Sequence, residues 1–548
     1  MRTRTSLQGT RSRRSTRRLR MVAACAVLAL GLAACGSGGA NTGNASANGS
    51  GIPVDGGTLV AALSGDPQSL DVAQNSGALT IYVGQNIFEQ FFAYDKALVP
   101  RPMLAESYTM SGDGLTYTIP LRKGIKFHNG QPMTAADVVA SLQRWETVSG
   151  TGKLVAKNVA SLTATNDSTV KIVLNQPRYS LISDLAGYIQ AAIIVPADIA
   201  KAAADKPMAD NQIIGTGPFK LAEYVHGQRV VLEKNPDYTP LNKDWGGFAG
   251  AKKAHFDKIE FRFVSDPTQQ LNGLKTGQFQ WAQSVSPDQY EIVKGDPALN
   301  AQVSDTGLIS TVLLNHNGKS AFTDLKARQA MNMLIDKKAM STAAFGPEIL
   351  WTPLSGSMVF SIDKPMYSEA GSDVYKAYNP QMAKQLFAEA GVTASTPIRI
   401  TTTQTYPQYY QMAVVMQAEL KKIGLTAEVN VYDFPTMIDK LTSAPTSWDI
   451  SMTGFSGIVG APSQILYLTP TWPGEYRSGK MDALLAQYNK SKTAEEAAQV
   501  VNQVQQTIWD EIPVIAIAPN KSLLVSRSKV QDLSGFRPGI FWNAYLAK

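Results

Sequence analysis

Cysteine is almost absent from this chain. Two occur in 548 residues, Cys25 and Cys35, too few for a disulfide framework or a thiolate metal site. Histidine is nearly as scarce. His128, His226, His255 and His316 are the whole set, and none has a second His or a Cys at metal-ligand spacing, so a zinc site has no support. No Gly-x-Ser-x-Gly elbow and no P-loop occurs, and the sequence calls for no cofactor, no metal and no catalytic residue. From Gly56 onward no apolar run reaches the length of a membrane span. Acidic residues are missing from the first twenty positions, which hold eight Arg.

That basic start runs into fourteen uncharged, mostly apolar residues from Met21 to Ala34, too short to cross a bilayer at ~1.5 Å per residue. A basic segment followed by a short apolar one reads as a secretory signal. Arg13-Arg14 and Arg17-Arg18 suggest a twin-arginine signal as the second choice, since Arg20 stands where such a signal wants an apolar residue. The segment ends in Leu32-Ala33-Ala34-Cys35, which resembles a bacterial lipobox. The resemblance implies that residues 1–34 are removed, that Cys35 carries diacylglycerol, and that the mature chain keeps no free thiol. Residues 36–51 hold six Gly, three Ser, three Asn and no charge. Such a stretch behaves as a flexible coil with a reach of roughly 20–24 Å, and residues 35–55 read as lipidated Cys and tether.

The whole chain has 51 basic and 44 acidic residues, a formal +7 that would ordinarily point to nucleic acid or an acidic membrane surface. Without residues 1–34 the balance is 43 to 44, a net −1. The excess belongs to the export signal, and nucleic acid is not a partner.

The body alternates helix and strand signals. Tyr108–Phe127 reads as a hairpin around Ser111-Gly112-Asp113-Gly114, and Val159–Leu174 as another around Asn166-Asp167-Ser168. Thr134–Trp145 reads as a helix, with Thr134 as N-cap and Asp137 three residues on. Asn379-Pro380 opens a second, with Met382, Leu386, Phe387 and Ala390 on its apolar face and Gly391 at its end. Tyr409–Ile423 is a third, stopped by Gly424. Leu425, Ala427, Val429 and Val431 follow at period two, the pattern of a half-buried strand. The pattern is that of α/β domains with insertions.

A series of segments in order resembles the extracytoplasmic solute-binding proteins of ABC importers, the large peptide/nickel/oligosaccharide class called family 5. They begin with Gly56-Gly57-Thr58-Leu59 and Ser69-Leu70-Asp71. The most specific stretch is Leu104-Ala105-Glu106-Ser107, Asp113-Gly114-Leu115-Thr116-Tyr117-Thr118, Leu121–Gly130 and Thr134-Ala135-Ala136-Asp137-Val138-Val139. Gly215-Thr216-Gly217-Pro218-Phe219, Asn235-Pro236-Asp237-Tyr238, Phe322 with Asp324, Arg328 and Asp336, and Tyr378-Asn379-Pro380 with Glu389-Ala390-Gly391 complete the series. Most of these residues read structurally: Gly124, Gly130, Gly215 and Gly217 suit turns with unusual backbone angles, and Arg328 and Asp336 suit an ion pair or helix-end contacts. The resemblance covers residues 56–391 and loosens beyond them.

The resemblance implies a two-lobed periplasmic-binding-protein-like α/β fold with an inserted extra subdomain. Lobe I comprises residues 56–83, 215–306 and 521–548, the insert 84–214 and lobe II 307–520. A solute is enclosed by hinge closure, and the closed form docks on a permease served by an ATPase. The expected receptor is a monomer held outside the cytoplasm by its lipid.

Two loops of lobe II are expected to line the cleft: Thr403–Tyr410, and Gly454–Pro462 after the strand Asp449–Thr453. Family members that bind short peptides often place an Asp in the second loop for the α-amine and a basic residue in the first for the α-carboxylate. Here the amine position aligns with Ile458, no carboxylate occurs from Thr453 to Gly474, and no Arg or Lys precedes the helix in the first loop. A free dipeptide would leave its terminal charges uncompensated in a dry cleft, which disfavours a standard dipeptide receptor. What the loops offer is aromatic surface. The expected ligand contacts are Tyr406, Tyr409, Phe434 and Phe455 with Ser456 and Gly457, and, on positional grounds alone, Asn75, Trp281 and Trp472. The expected function is a receptor for an oligopeptide or peptide-like solute. An oligosaccharide receptor of the same family is the alternative, with a secreted glycosidase or a surface sensor lipoprotein as readings of another class. Nickel cargo is disfavoured by the scarcity of His.

Overall fold

The computed structural model describes residues 51–457, 459–470, 472–533 and 539–548. The signal, Cys35, most of the tether and Ile458 lie outside the described residues.

Two strands, Leu299–Leu314 and Val514–Arg527, are 16 and 14 residues long and pair antiparallel. At ~3.4 Å per residue the longer spans roughly 50 Å, well beyond an ordinary strand. They occupy the centre of a ten-stranded sheet. On one side follow Ile450–Ser456, Ile398–Thr403 and Ala427–Tyr432; on the other follow Trp281–Ala282, Thr58–Leu63, Lys258–Phe263, Arg229–Lys234 and Phe219–Val225. Neither flank uses the full length of its long neighbour. Ile450–Ser456 pairs with Leu308–Leu314, whereas Trp281–Ala282 pairs with Val525 and Ser526 near the other end. The result is two half-sheets joined through two strands. The ladder between those strands slips between Asp305 and Ile309, where Gly307 adopts a φ of +79°, a conformation that favours glycine.

The half-sheets build separate cores. Leu59, Phe261, Trp281 and Phe541 belong to one, and Val312, Ile400, Met452 and Ile515 to the other. In the second, successive residues feed opposite faces: Ile515 and Ile517 pack with Val312, while Val514 and Ala516 pack with Ile309, Trp448 and Phe455. A strand covered on both faces reads as a continuous apolar run, which is how Val514–Ala518 reads.

A further core of Phe91, Phe127, Trp145 and Ile172 gathers under a small antiparallel sheet ordered Thr109–Met110, Thr116–Pro120, Thr169–Leu174, Val159–Asn166. Both hairpins fall where the turn clusters placed them. The helix Ala135–Val148 starts with the expected box, Thr134 N and Oγ1 donating to Asp137 Oδ2 at 2.8 and 2.7 Å. This helix is fastened to the loop that follows the strand Thr58–Leu63. Arg144 NH2 meets Asp71 Oδ2 at 2.5 Å with both side chains buried, and Asp71 also accepts from Ala73 N and Met208 N, each at 3.1 Å.

Some local expectations need correction. Helix Pro380–Glu389 buries Ala383 and Phe387, so Met382 falls beside that stripe and is 41% exposed. Strand Ala427–Tyr432 is the outermost of its half-sheet, so its burial fades toward the end, and Val431 is also 41% exposed. Gly124 and Gly130 do adopt positive φ, but Gly215 and Gly217 do not. At those two a Cβ would run into the Ile87 carbonyl, so close approach, not torsion, selects glycine. Arg328 and Asp336 make helix-end contacts. Asp336 caps the helix Lys337–Phe345, and Arg328 donates to the carbonyls of Phe322, Thr323 and Glu511 at 2.8, 3.0 and 2.8 Å.

Candidate functional site

The first loop leaves the strand Ile398–Thr403 and turns into the helix Pro407–Lys422, with Pro407 at the position where a fixed φ and a missing N–H are tolerated. Tyr406 stands at the N-cap, 42% exposed, edge-on to Tyr409 at 5.8 Å and to Phe434 at 4.9 Å between centroids. Phe434 is placed by its own backbone, whose N–H donates to Thr405 Oγ1 at 3.1 Å. Three of the expected contacts therefore form one aromatic group.

Phe455 belongs to a second group. Its ring meets Tyr467 at 4.7 Å and Trp472 at 5.6 Å, both edge-on, and is 7% exposed. Tyr409 itself is buried in the core on the other face of this half-sheet from Phe455, its hydroxyl 2.7 Å from where a Cβ on Gly454 would stand. Tyr467 was not among the expected contacts. The apolar run Ile465–Leu468 conceals it, since nothing local marks its ring for Phe455.

Polar atoms inside the second group lack partners. Among the described residues, Tyr467 Oη and Trp472 Nε1 are buried and find no hydrogen-bond partner. Burial also holds the Tyr467 phenol well above its ordinary pKa, so it stays a neutral donor. Leaving a buried polar group unpaired costs about 1–3 kcal/mol, which a solute supplying the partner would recover.

The second loop is pinned at several points. Gly457 N donates to Gly307 O at 2.8 Å, tying the loop to the slip point of the long strands, and Phe360 N donates to Gly457 O at 2.8 Å. A Cβ at Gly457 would stand 2.9 Å from the Phe360 ring and 3.0 Å from Ile309. Ser456, half-buried, is the last residue of its strand and pairs with Leu308. Val459 N donates to Asp363 Oδ2 at 2.9 Å. This loop has no acid of its own, yet a buried carboxylate reaches it from 96 residues earlier in the chain. Burial raises that carboxyl from 3.8 to about 7.

The two residues of the first half-sheet fare differently from the rest. Asn75 is half-buried beside the helix Ala78–Gly84, and its Oδ1 accepts from Gly77 N at 2.7 Å. No contact draws it to the aromatic groups. Trp281 is a core residue, fully buried and edge-on to Tyr82 at 6.4 Å and Phe541 at 5.3 Å. Its indole packs in the core of the first half-sheet, and among the described residues no ring contact joins it to either aromatic group.

The match to the model of bacterial extracellular solute-binding proteins, family 5 (middle part), spans residues 99–475. The chain belongs to this family. Among curated relatives, it is 26% identical over 474 residues to the probable peptide ABC transporter periplasmic-binding protein y4tO of Sinorhizobium fredii, covering 83% of this chain and 87% of that one. It is 27% identical over 494 residues to the glutathione-binding protein GsiB of Escherichia coli K12, covering 87% and 91%. Among solved structures, the substrate-binding protein CtaP of Listeria monocytogenes superposes with a TM-score of 0.77 at 23% identity, over 90% of this chain and all of that one. DppA of Helicobacter pylori, solved with peptide STSA, superposes with a TM-score of 0.74 at 23% identity, over 90% and 99%. The fold is the two-lobed periplasmic binding-protein fold. Among the described residues no helix is long and apolar enough to cross a membrane.

Proposed function

We propose that this protein is the receptor of an ABC importer, taking an oligopeptide or peptide-like solute between its lobes and presenting it to a membrane permease with its ATPase. Residues 56–83, 215–306 and 521–548 act as lobe I with 84–214 as its insert, residues 307–520 act as lobe II, and the long strands bend at Gly307. Cys35 carries the lipid that keeps the monomer at the outer face of the membrane, and the protein captures without chemistry.

One observation carries the solute site: Tyr467 Oη and Trp472 Nε1 are unpaired polar atoms on the two rings that enclose Phe455. Aromatic faces with polar tips suit peptide planes and apolar side chains. Tyr406 and Phe434 extend the aromatic surface with Tyr409 packed behind them, and Ser456 and Gly457, the latter with its N–H and C=O taken by Gly307 and Phe360, hold the loop beside it. The names of y4tO, a probable peptide ABC transporter periplasmic-binding protein, and of GsiB, a glutathione-binding protein, support a peptide-type cargo.

Replacing Tyr467 with Phe separates this role from a packing role. The empty protein should be as stable as wild type or up to ~2 kcal/mol more so, because a buried unpaired hydroxyl is removed. Retention of solute from a tri- to pentapeptide mixture should weaken about tenfold, since the hydroxyl's partner is lost. Equal loss of stability and of binding would mean the hydroxyl is structural, and the site reading would fail.

A further inference from the structure

The second loop is held from outside as well as from within. Gln464 Oε1 accepts from Gly460 N at 2.9 Å, which folds the loop onto itself. The same side chain's Nε2 donates to Asp184 Oδ1 of the insert, 280 residues earlier in the chain. Asp184 is itself fixed, its Oδ2 accepting from Arg178 Nε and Ser180 Oγ, each at 2.8 Å, with all three residues buried. Glycine is needed at 460 because a Cβ there would strike the Tyr94 hydroxyl and stand 2.9 Å from Ser183 Cβ. A second contact lies alongside: Tyr179 N donates to Asn489 O at 3.1 Å, and the Tyr179 and Tyr488 rings meet edge-on at 5.6 Å.

These contacts join parts that belong to different half-sheets. The insert is fastened to the first by Asp71 and Arg144. The loop belongs to the second, and its near end is bonded to Gly307 between the two. A hinge opening about Gly307 would carry Gly460–Gln464 away from Asp184 and break these contacts.

We infer that the inserted subdomain is a closing partner of the solute loop, and that Gln464 is the positioning residue that couples them. Glutamine fits because one end must accept from Gly460 and the other must donate to a carboxylate. Arg178, Ser180 and Asp184 act as a rigid catch, and the loop takes its solute-facing shape when Gln464 engages it. The inference rests on the reading that this loop faces the solute.

The Tyr179 amide offers a direct readout, because its acceptor lies on the other lobe. Hydrogen exchange of the full chain is compared between wild type, Gln464→Glu and Gln464→Ala. Gln464→Glu sets a second carboxylate against Asp184 and should speed exchange at Tyr179 at least about tenfold, with Gln464→Ala intermediate. Amides of the strand Thr169–Leu174 should be unchanged in both, which establishes that the insert is intact. Equal Tyr179 exchange in wild type and in whichever variant keeps that strand protected would overturn the inference. In a second arm, peptides retained from a tri- to pentapeptide mixture should leave Gln464→Glu about tenfold faster than wild type. If no peptide binds either protein while Tyr179 still responds, the closing contact stands and the peptide reading falls.

Discussion

Replacing Asp71 with Ala is expected to cost about 3–5 kcal/mol of folding stability, a large share of the margin of an ordinary domain. The carboxylate is wholly buried and takes the Arg144 guanidinium at 2.5 Å, together with the amides of Ala73 and Met208. Removing it leaves a charged guanidinium with, among the described residues, only the Lys206 carbonyl, 2.7 Å from Arg144 NH2, in a setting too dry to solvate it. The pair itself need not stabilise the fold relative to apolar packing, since desolvation offsets most of its Coulomb energy. A double variant, Asp71→Ala with Arg144→Met, should therefore recover much of what the single variant loses. Denaturant unfolding measures both. A single-variant loss below ~1 kcal/mol would show that the insert is held on by something else.

Truncating Phe455 to Ala should cost about 3–5 kcal/mol, the usual range for a buried ring, and should also abolish solute retention. The ring fills the space between Tyr467 and Trp472 and packs in the core with Ile309 and Val459. Its loss removes the ring against which both neighbours pack edge-on. Phe455→Leu keeps most of the volume, so it should lose no more than ~1.5 kcal/mol of stability while still weakening retention through the lost edge-on contacts. Unfolding curves and peptide retention on both variants decide this. Normal retention by Phe455→Leu and Phe455→Ala alike would move the solute site elsewhere.

Much of the fold can be read from the sequence because its signals are local. Thr134 with Asp137, the Gly and Asn turn clusters and the Gly391 and Gly424 stops act within a few residues, and each lies where its chemistry places it. Tyr406, Tyr409 and Phe434 come together for a similar reason, being attached to the ends of adjacent parallel strands. What could not be read is pairing across long stretches of chain. Asp71 stands out as a motif residue, but nothing marks Arg144 as its partner. The absence of acid in the second loop is real, yet Asp363 arrives beside Val459 from outside the segment. Tyr467 and Gln464 are silent for the same reason, since their meaning depends on Phe455 and Asp184. Trp281 misleads in the opposite direction, because a strand start near a lobe junction can point its side chain into the core as readily as into the cleft.

The central claim is capture of a peptide-like solute, and thermal unfolding of the purified protein against mixtures of tri- to pentapeptides and of oligosaccharides tests it most directly. A ligand present at ~100 times its dissociation constant stabilises the folded form by about 2.7 kcal/mol, which a shift in the unfolding midpoint reveals. Such a shift is expected with peptides, larger for tri- to pentapeptides than for free dipeptides because the first loop offers no cation for a nearby α-carboxylate. A shift with oligosaccharides and none with peptides would contradict the claim.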